Sequence, residues 1–582
     1  MLIGSAAAQT MEYAVVPAMS SVKRLPATEP SDGVKAGTLG FVLAKGEFEP
    51  ASFVIKSDKA AKKVVLTPSD LKNEKGDIIP ASALDLKVIK VWYQAGTGWY
   101  SYFADSTGKT LVPELLLNDE NLIKVDDATK DNYLRVINTQ GQNEYVWISN
   151  TLEIQVPFSV WNETVADAAT FQPFTLDAGK WKQIWVTLEA PKAAEGLYQG
   201  QIQVTIDGKN MQNIPVVARV LPFELPDPKT NYDLSREYYV STFTGIRLNN
   251  YLRANGMNWE KAEKRLRAEY KNLKRHNLLN PMLPTAYNMS VDDGDLMKKM
   301  HRRQLEIYKE CGLNTKVLFD AVRGIPDYAY LSHADRNLPL AEQKLPDYWE
   351  EFVLGGKKMV EDVLGKDTEV YCFGWDEPGM GTLRAQRLPW KFLHENGLKT
   401  YSTAHGSHLI HAGYNEDFVA YGGSYSKEEA AKWHAFGARI TSYASPHTGP
   451  ENPDIVRRNH GMDLYLCDHD GTNNYEIDGG WNDFLGADYN FRGFNWIYPG
   501  SEEPINTIQF EAFREAIDDV KYATLLKQLA GKAVESGNAD AAYAGKIALQ
   551  YLALLDGKKA DLNTVRIEMI NHIMRIRSMI AE

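Results

Sequence analysis

Hydrophobic residues change their spacing near residue 230, and this change constrains the fold more than any other feature. Before it, apolar and polar residues alternate, as in Leu84-Asp-Leu-Lys-Val88 and Ile202-Gln-Val-Thr-Ile206. A period of two predicts half-buried strands, and turn residues such as Asp207-Gly208 separate them. Because no helical stretches intervene, we expect a β-sandwich region over residues 12–228, built as one large sandwich or as two smaller ones.

From residue 229 to 508, short apolar runs alternate with helical stretches such as Trp259–His276. The nine strand candidates are Glu237–Ser241, Leu278–Leu283, Thr315–Asp320, Glu369–Gly374, Leu398–Ala404, Phe418–Gly422, Arg439–Ala444, Met462–Cys467 and Gly493–Tyr498. Repeated strand–helix units predict a central (β/α)8 barrel of the TIM type. Nine candidates compete for eight positions, and the last two are alternatives for the closing strand.

The two ends of the chain differ from this pattern. Residues 509–582 are expected to be helical, because apolar residues recur there at helical spacing. That apolar stripe consists of Phe510, Phe513, Ile517 and Val520. Residues 1–11 resemble the end of a secretory signal peptide, with an Ala-x-Ala site at Ala6–Ala8 but no charged start. The sequence thus predicts an exported bacterial protein, periplasmic or secreted.

Composition narrows the possible partners. The net charge is −12, without a dense Lys/Arg stripe, so neither nucleic acid nor an anionic membrane is an expected partner. No apolar run is long enough to span a bilayer. The three cysteines show no Cys-x-x-Cys spacing, and no calcium-loop pattern is complete, so we predict no metal and no cofactor. Composition predicts no particular oligomeric state.

The fourth strand candidate ends in a motif that carries chemistry, Glu369-Val-Tyr-Cys-Phe-Gly-Trp-Asp-Glu-Pro378. In a barrel, the carboxyl ends of the strands hold the active site. Pro378 is expected to stop the strand and to keep Glu377 extended. Burying Asp376 beside Glu377 would raise at least one pKa, as a general acid at neutral pH requires. We therefore predict that this pair is catalytic.

Three segments resemble glycoside hydrolase family 123. These are Phe373–Pro378, which looks like its catalytic motif, Glu511–Tyr522, which is similar to its post-barrel segment, and Gly46–Pro50, which resembles part of its N-terminal sandwich. The resemblance implies a β-N-acetylgalactosaminidase that retains configuration by substrate assistance. It implies that Asp376 orients the 2-acetamido group, whose oxygen attacks the anomeric carbon, while Glu377 protonates the leaving oxygen and then activates water.

Other polar and aromatic residues at predicted strand ends are candidates for binding a glycan substrate. They are Trp375, His405, His447, Asp468, Trp496 and Tyr498. Aromatic rings can stack on a sugar, and the polar groups can bind its hydroxyls. Two alternatives stay open. One is a two-carboxylate retaining glycosidase with Asp468 or Asp470 as nucleophile, and the other is a non-catalytic glycan-binding protein.

Overall fold

The computed structural model describes residues 9–94, 109–149, 164–189, 193–284, 294–326, 339–404, 416–443, 452–478, 480–481 and 495–580. The predicted signal segment lies almost wholly outside these ranges, and export stays a prediction. None of the helices within them is both long enough and apolar enough to cross a membrane.

Sixteen strands occupy the described part of the chain up to residue 224. They are β1 (Met11–Val16), β2 (Val34–Lys35), β3 (Leu39–Lys45), β4 (Phe48–Ser57), β5 (Ala61–Pro68), β6 (Leu71–Lys72), β7 (Ile78–Ile79), β8 (Leu84–Gln94), β9 (Thr110–Leu117), β10 (Ile123–Asp126), β11 (Asp131–Ile137), β12 (Asn143–Trp147), β13 (Phe174–Leu176), β14 (Trp181–Glu189), β15 (Gly196–Ile206) and β16 (Lys209–Glu224).

These strands form three sheets. The two larger ones have the orders β2-β1-β4-β14-β8-β9 and β13-β5-β15-β16-β3, and β10-β11-β12 is a smaller third sheet. One hydrophobic core takes residues from both larger sheets, including Leu86 and Val88 of β8 and Ile202 and Val204 of β15. The predicted alternation is therefore observed. Two sheets sharing one core are compatible with the predicted sandwich.

The central region is built on parallel strands and helices. The strands are β17 (Tyr239–Thr242), β18 (Val317–Phe319), β19 (Glu369–Phe373), β20 (Lys399–Ala404), β21 (Phe418–Tyr421), β22 (Arg439–Ser442) and β23 (Gly471–Asn474). The helices are α1 (Leu248–Ala254), α2 (Trp259–Arg275), α3 (Gly294–Glu310), α4 (Asp347–Leu364), α5 (Met380–Glu395), α6 (Lys427–Ala435), α7 (Pro453–His460) and α8 (Met462–Leu466).

The parallel sheet has the order β17-β23-β22-β21-β20-β19-β18, and its two edge strands are joined by residues 280–283. The Met282 N–H donates to the Thr242 carbonyl of β17 at 3.1 Å, and the Leu283 N–H donates to the Phe319 carbonyl of β18 at 2.8 Å. The sheet thus curls into a nearly closed cylinder, which is compatible with the predicted barrel. Rings from several of its strands pack in the interior.

Neither of the two predicted closing strands belongs to this sheet. Met462–Leu466 is helix α8, since Met462 and Tyr465 lie on one helical face and are fully buried. Ile497–Tyr498 forms a strand, β24, but it pairs antiparallel with β25 (Ile505–Asn506) outside the cylinder. The strand between β17 and β22 is β23, whose sequence Gly-Thr-Asn-Asn has no apolar pattern.

Three helices follow, as predicted: α9 (Ile508–Glu535), α10 (Ala539–Leu554) and α11 (Leu562–Ile580). Thr507 caps α9, because its side chain accepts a hydrogen bond from the Phe510 N–H. The predicted apolar stripe of α9 is fully buried in a core shared with the helices around the sheet. The carboxyl-terminal helices therefore pack against the outside of the central region.

Candidate active site

The exit of β19 is held by a close contact with helix α5. The Trp375 N–H donates to Gln386 Oε1 at 2.7 Å. A Cβ atom on Gly374 would lie only 2.4 Å from the same oxygen, so a side chain there would displace Gln386. The Gly374 N–H also donates to the Tyr401 carbonyl of β20 at 2.8 Å. These contacts fix the backbone immediately before the carboxylate pair.

The backbone turns sharply at the pair itself. Glu377 has φ +41°, in the left-handed region, so the prediction that Pro378 keeps it extended is wrong. The Thr403 hydroxyl of β20 accepts the Glu377 N–H at 2.5 Å and donates to Asp376 Oδ1 at 2.7 Å. One hydroxyl thus supports both residues of the turn. The turn removes the strict alternation by which strand neighbours face opposite ways.

The Glu377 side chain reaches across the end of the sheet. The Tyr443 hydroxyl, just after β22, donates to Glu377 Oε1. Strands β20 and β21 separate β19 from β22 in the sheet. The carboxylate must therefore cross the mouth of the cylinder to meet this hydroxyl. Asp376 and Glu377 are both exposed, so the pair is not buried as the sequence argument expected, and a ligand in the mouth can reach both side chains.

A second group of side chains with an acidic residue follows β23, the strand that has no apolar pattern. The Tyr475 N–H donates to the Tyr443 carbonyl at 3.1 Å, which brings Tyr475 and Glu476 to the same end of the sheet. Burial raises the pKa of Tyr475, and the charges of Glu476 and Asp376 raise it further. Burial also raises the pKa of Glu476 to about 8, with Asp478 adding to the effect. A carboxyl group in this range is a candidate for proton transfer.

Strand β18 supplies a third acidic residue at this end. Asp320 follows β18, and its N–H donates to the Tyr371 carbonyl of β19 at 2.8 Å. Burial raises the pKa of Asp320 to about 7, against the opposing charges of Arg247 and Arg323. Several of these side chains follow the carboxyl ends of the strands. We call them the carboxyl rim, which consists of Asp320, Asp376, Glu377, Tyr443, Tyr475 and Glu476.

Aromatic rings form the floor beneath this rim. Phe243 packs edge-on against Phe373 at 5.6 Å between centroids, and Phe373 packs against Tyr401 at 5.2 Å. Tyr475 lies 5.7 Å from Phe243 and is 39% exposed. An exposed ring beside carboxylates is what a sugar site offers for stacking. Tyr475 is thus the aromatic residue in the described part of the rim that is best placed to contact a sugar.

Comparison with known proteins bears on the fold. No model of a known protein family matches the chain, and no curated protein sequence does. A family 123 glycoside hydrolase from Clostridium perfringens is similar in structure, with a TM-score of 0.64, 13% identity, and coverage of 98% of this chain and 100% of that chain. The chain has the fold of a family 123 glycoside hydrolase. The resemblance predicted from the motifs is confirmed to that extent.

Two other solved structures are much less similar. A family 39 glycoside hydrolase from Bacteroides cellulosilyticus has a TM-score of 0.28 and 12% identity, covering 61% of this chain and 76% of that chain. A GH5 xyloglucanase from Bacteroides ovatus has a TM-score of 0.31 and 8% identity, covering 82% of this chain and 98% of that chain. Scores this low support no conclusion about the site.

In this fold, Asp468 and Asp470 lie at the opposite end of the sheet from Glu377. Both precede β23, whereas the rim residues follow their strands. Asp468 accepts a hydrogen bond from Asn231 at 2.6 Å, and Asp470 accepts one from the Ile440 N–H, at the start of β22. The structure thus does not bring the predicted late-strand nucleophiles to the pair. The error followed from taking residues 462–467 as the strand.

The predicted stacking residues are also placed elsewhere. Trp496 is fully buried among Phe510, Phe513 and His460. Tyr498 is 1% exposed and packs on Trp92, with its hydroxyl donating to Glu114. Both rings are therefore packed in the protein interior, where neither can stack on a sugar.

Trp375 does adjoin the pair, but its half-buried ring packs against Ile325 and Ala385. His405 and His447 lie outside the described residues. Within the described ranges, no cluster of His, Cys, Asp or Glu has the arrangement of a metal site. Sequence reasoning missed Thr403 and Tyr443, although both lie at the ends of predicted strands. It missed Glu476 because the polar strand before it was not recognised.

Proposed function

We propose that the chain is a glycoside hydrolase that releases terminal 2-acetamido sugars from glycans with retention of configuration, on a (β/α)8 barrel. The observation that carries the proposal is the turn at Asp376 and Glu377, where two adjacent carboxylates are exposed at the mouth of the parallel sheet. The fold of a family 123 glycoside hydrolase supports it. An N-acetylgalactosamine unit is the sugar that the motif resemblance favours.

In the proposed mechanism, the sugar's own acetamido oxygen attacks the anomeric carbon and forms an oxazoline. Asp376, fixed by the Thr403 hydroxyl, accepts the acetamido N–H and so orients the nucleophile. Glu377 protonates the leaving oxygen and then removes a proton from the attacking water. No protein carboxylate is needed on the opposite face of the ring, which suits two adjacent acids.

The contact of Tyr443 with Glu377 suits this role. The hydroxyl donates to Oε1 and fixes the carboxylate at the mouth of the sheet, where it can exchange a proton with the substrate. A positioned acid also needs a limited range of orientations, and the hydrogen bond reduces that range. Tyr443 is therefore proposed as a positioning residue for the acid/base.

A two-carboxylate mechanism is the second candidate, for which we propose Glu476 as the nucleophile in place of Asp468 or Asp470. Glu476 is a carboxyl group on the carboxyl rim beside Tyr475. However, a nucleophile must be ionised, and the raised pKa of Glu476, about 8, keeps it mostly protonated at neutral pH. The substrate-assisted mechanism is favoured for that reason.

A pair of aryl glycosides tests the proposal. An aryl 2-acetamido-2-deoxy-β-galactoside and its 2-hydroxy analogue share the leaving group and differ only at the attacking group. We expect turnover of the first and little or no turnover of the second. Equal turnover of both would contradict substrate assistance. No release from either, together with glycan binding, would favour the non-catalytic alternative.

The variants Asp376→Asn and Glu476→Gln separate the two mechanisms. Under substrate assistance, Asp376→Asn impairs orientation of the acetamido group, and turnover of the acetamido substrate falls on the order of 10²-fold or more. Glu476→Gln then has a smaller effect. If Glu476 were the nucleophile, this order would be reversed, and Glu476→Gln would abolish turnover.

A further inference from the structure

A cavity lies at the opposite end of the parallel sheet from the carboxyl rim. It has a volume of about 450 Å³ and lies between the turn at residues 45–48, the carboxyl-terminal end of helix α2 and the first half of helix α9. The end of α2 comes before the strand segment 280–283, so this cavity faces the amino ends of the parallel strands. It is therefore separate from the site of Asp376 and Glu377, at the other end of the sheet.

The wall of this cavity is strongly basic. The basic side chains are Lys45, Lys271, Lys274, Arg275, Arg514 and Lys521. The two carboxyl groups of the wall are Glu47 and Asp518. Asp518 pairs with Lys521 at 3.2 Å, and two acids outside the wall pair with Lys45 at 3.5 Å and with Arg275 at 3.4 Å. Lys271 and Lys274 form no ion pair with any acid in the described part of the chain. An excess of positive charge in a recess attracts anions.

Two buried guanidinium nitrogens in this wall have no hydrogen-bond acceptor among the described residues. They are Nη1 of Arg514, a residue only 1% exposed, and Nε of Arg275. The other nitrogens of Arg514 pair with Glu511 at 2.7 Å and Glu515 at 3.3 Å. A buried donor without an acceptor is unfavourable, and a ligand oxygen would satisfy it.

A ring holds the two guanidinium groups in place. Phe48 lies 5.0 Å from the Arg275 guanidinium and 5.9 Å from that of Arg514, measured to the ring centroid. Stacked guanidinium groups with fixed donors match the oxygens of phosphate and sulfate. The dipole of α2 accounts for basic residues in its last turn, such as Lys274 and Arg275. The basic residues on other elements, Lys45, Arg514 and Lys521, each pair with an acid.

We propose that this cavity binds a compact oxyanion, phosphate or sulfate, either as the free ion or as an ester on a sugar. The basic recess supplies the charge, and the unpartnered guanidinium nitrogens supply donors for the ligand oxygens. Lysine and arginine side chains donate charge-assisted hydrogen bonds to an oxyanion, and these are stronger than hydrogen bonds between neutral groups. The proposal does not depend on the glycosidase activity.

Isothermal titration calorimetry with inorganic phosphate and with inorganic sulfate tests it, at constant ionic strength set with chloride. The variant Lys271→Gln/Lys274→Gln removes two exposed charges from the wall without touching the buried residues. The control Lys358→Gln/Lys559→Gln removes two exposed charges elsewhere, from side chains that are 74% and 85% exposed. We expect the wild type and the control to bind alike, and the cavity variant to bind ~10-fold more weakly or not at all.

Three results would overturn the proposal: no binding of any oxyanion by the wild type, equal binding by the cavity variant, or equal weakening in the control variant. A titration with galactose 6-sulfate distinguishes the two sources of the anion. Tighter binding of the sugar ester than of free sulfate assigns the site to a substituted glycan, and the reverse assigns it to the free ion. Glu377→Gln should bind as the wild type does, so loss of catalysis and loss of anion binding are distinguishable.

Discussion

Carboxylates have opposite surroundings in two regions of this molecule. On the carboxyl rim, Asp376 and Glu377 are exposed and are held by the hydroxyls of Thr403 and Tyr443. In the second region, acids and arginines are buried together between the amino-terminal sheets, the parallel sheet and the final helices, and the most exposed member, Glu49, has a side chain that is 18% exposed. This buried ionic junction consists of Glu47, Glu49, Arg457, Glu511, Arg514, Glu515, Asp519 and Arg566.

The junction uses the two other segments that resemble family 123. Arg566 of α11 bonds Asp519 of α9 at 2.7 Å and Glu49 of β4 at 3.1 Å. Tyr522 donates its hydroxyl to Glu47 at 2.7 Å. Burial alone would raise the pKa of Glu511, but Arg514 and His276 hold it well below its usual range.

Likeness of sequence can therefore have two different causes. Residues 46–50 and 511–522 contain buried charges that form ion pairs within the junction, so burial gives a structural reason for them. At residues 373–378, the carboxylates are open to solvent, and burial does not explain them. This difference predicts that variants of the two regions will change different measured quantities.

The largest effect is expected at the rim. Glu377→Gln should lower kcat on the order of 10²–10⁴-fold for a substrate with a poor leaving group, because the general acid is lost. An aryl substrate with an acidic leaving group should lose less. The unfolding midpoint should stay unchanged, since the side chain is exposed. Glu350→Gln, an exposed glutamate on α4, is the control, and a rate loss shared by both variants would contradict the assignment.

The next effect is expected at the junction. Arg566→Met leaves Asp519, Glu515 and Glu49 without their shared cation, so the free energy of unfolding should fall by about 3–5 kcal/mol. Urea denaturation followed by circular dichroism measures this loss. Arg302→Met, at a side chain 44% exposed, is the matched control and should change stability by less than ~1 kcal/mol. Equal losses of unfolding free energy in the two variants would mean that the buried ionic junction stabilises the fold no more than an exposed ion pair does.

A smaller effect should follow from Tyr443→Phe. The variant keeps the ring and removes only the hydroxyl that donates to Glu377. We expect kcat to fall ~10-fold with KM nearly constant, because the hydroxyl positions the acid/base without binding the sugar itself. Initial rates over a range of substrate concentrations measure this split. A change in KM alone would assign Tyr443 to substrate binding instead.

The smallest effect concerns the pH dependence of stability. Burial, followed by the charge of Asp518, raises the pKa of Glu47 from 4.5 to about 8. The folded chain therefore holds a proton that the unfolded chain releases above pH 4.5. This contribution to stability is complete below pH 4.5 and is lost as the pH rises through about 8.

The free energy of unfolding should consequently decrease between these two pH values, and Glu47→Gln should make that decrease shallower. Chemical denaturation at several pH values measures the slope. Glu74→Gln, at an exposed glutamate, should leave the slope as it is in the wild type. An unchanged slope in Glu47→Gln would show that Glu47 is ionised in the folded chain.

Local patterns predicted a large part of this fold because they report which face of each segment is buried. Strands β18 to β22 lie within the predicted apolar runs, and α9 buries the predicted stripe. Strand β23 was not predicted, because Thr472 and Asn473 are buried by polar contacts. Thr472 bonds His460 at 2.8 Å, and Asn473 bonds Tyr401. Buried polar strands give no apolar signal.

By itself, the sequence determined where the chain changes from strands alone to strands with helices, and that Asp376 and Glu377 follow a strand. Both depend on residues close together in the chain. Only the tertiary structure decided that Glu377 meets Tyr443, that Asp468 lies at the far end of the sheet, and that Trp496 is buried. Those outcomes depend on which strands become neighbours, and that is set by packing between distant segments.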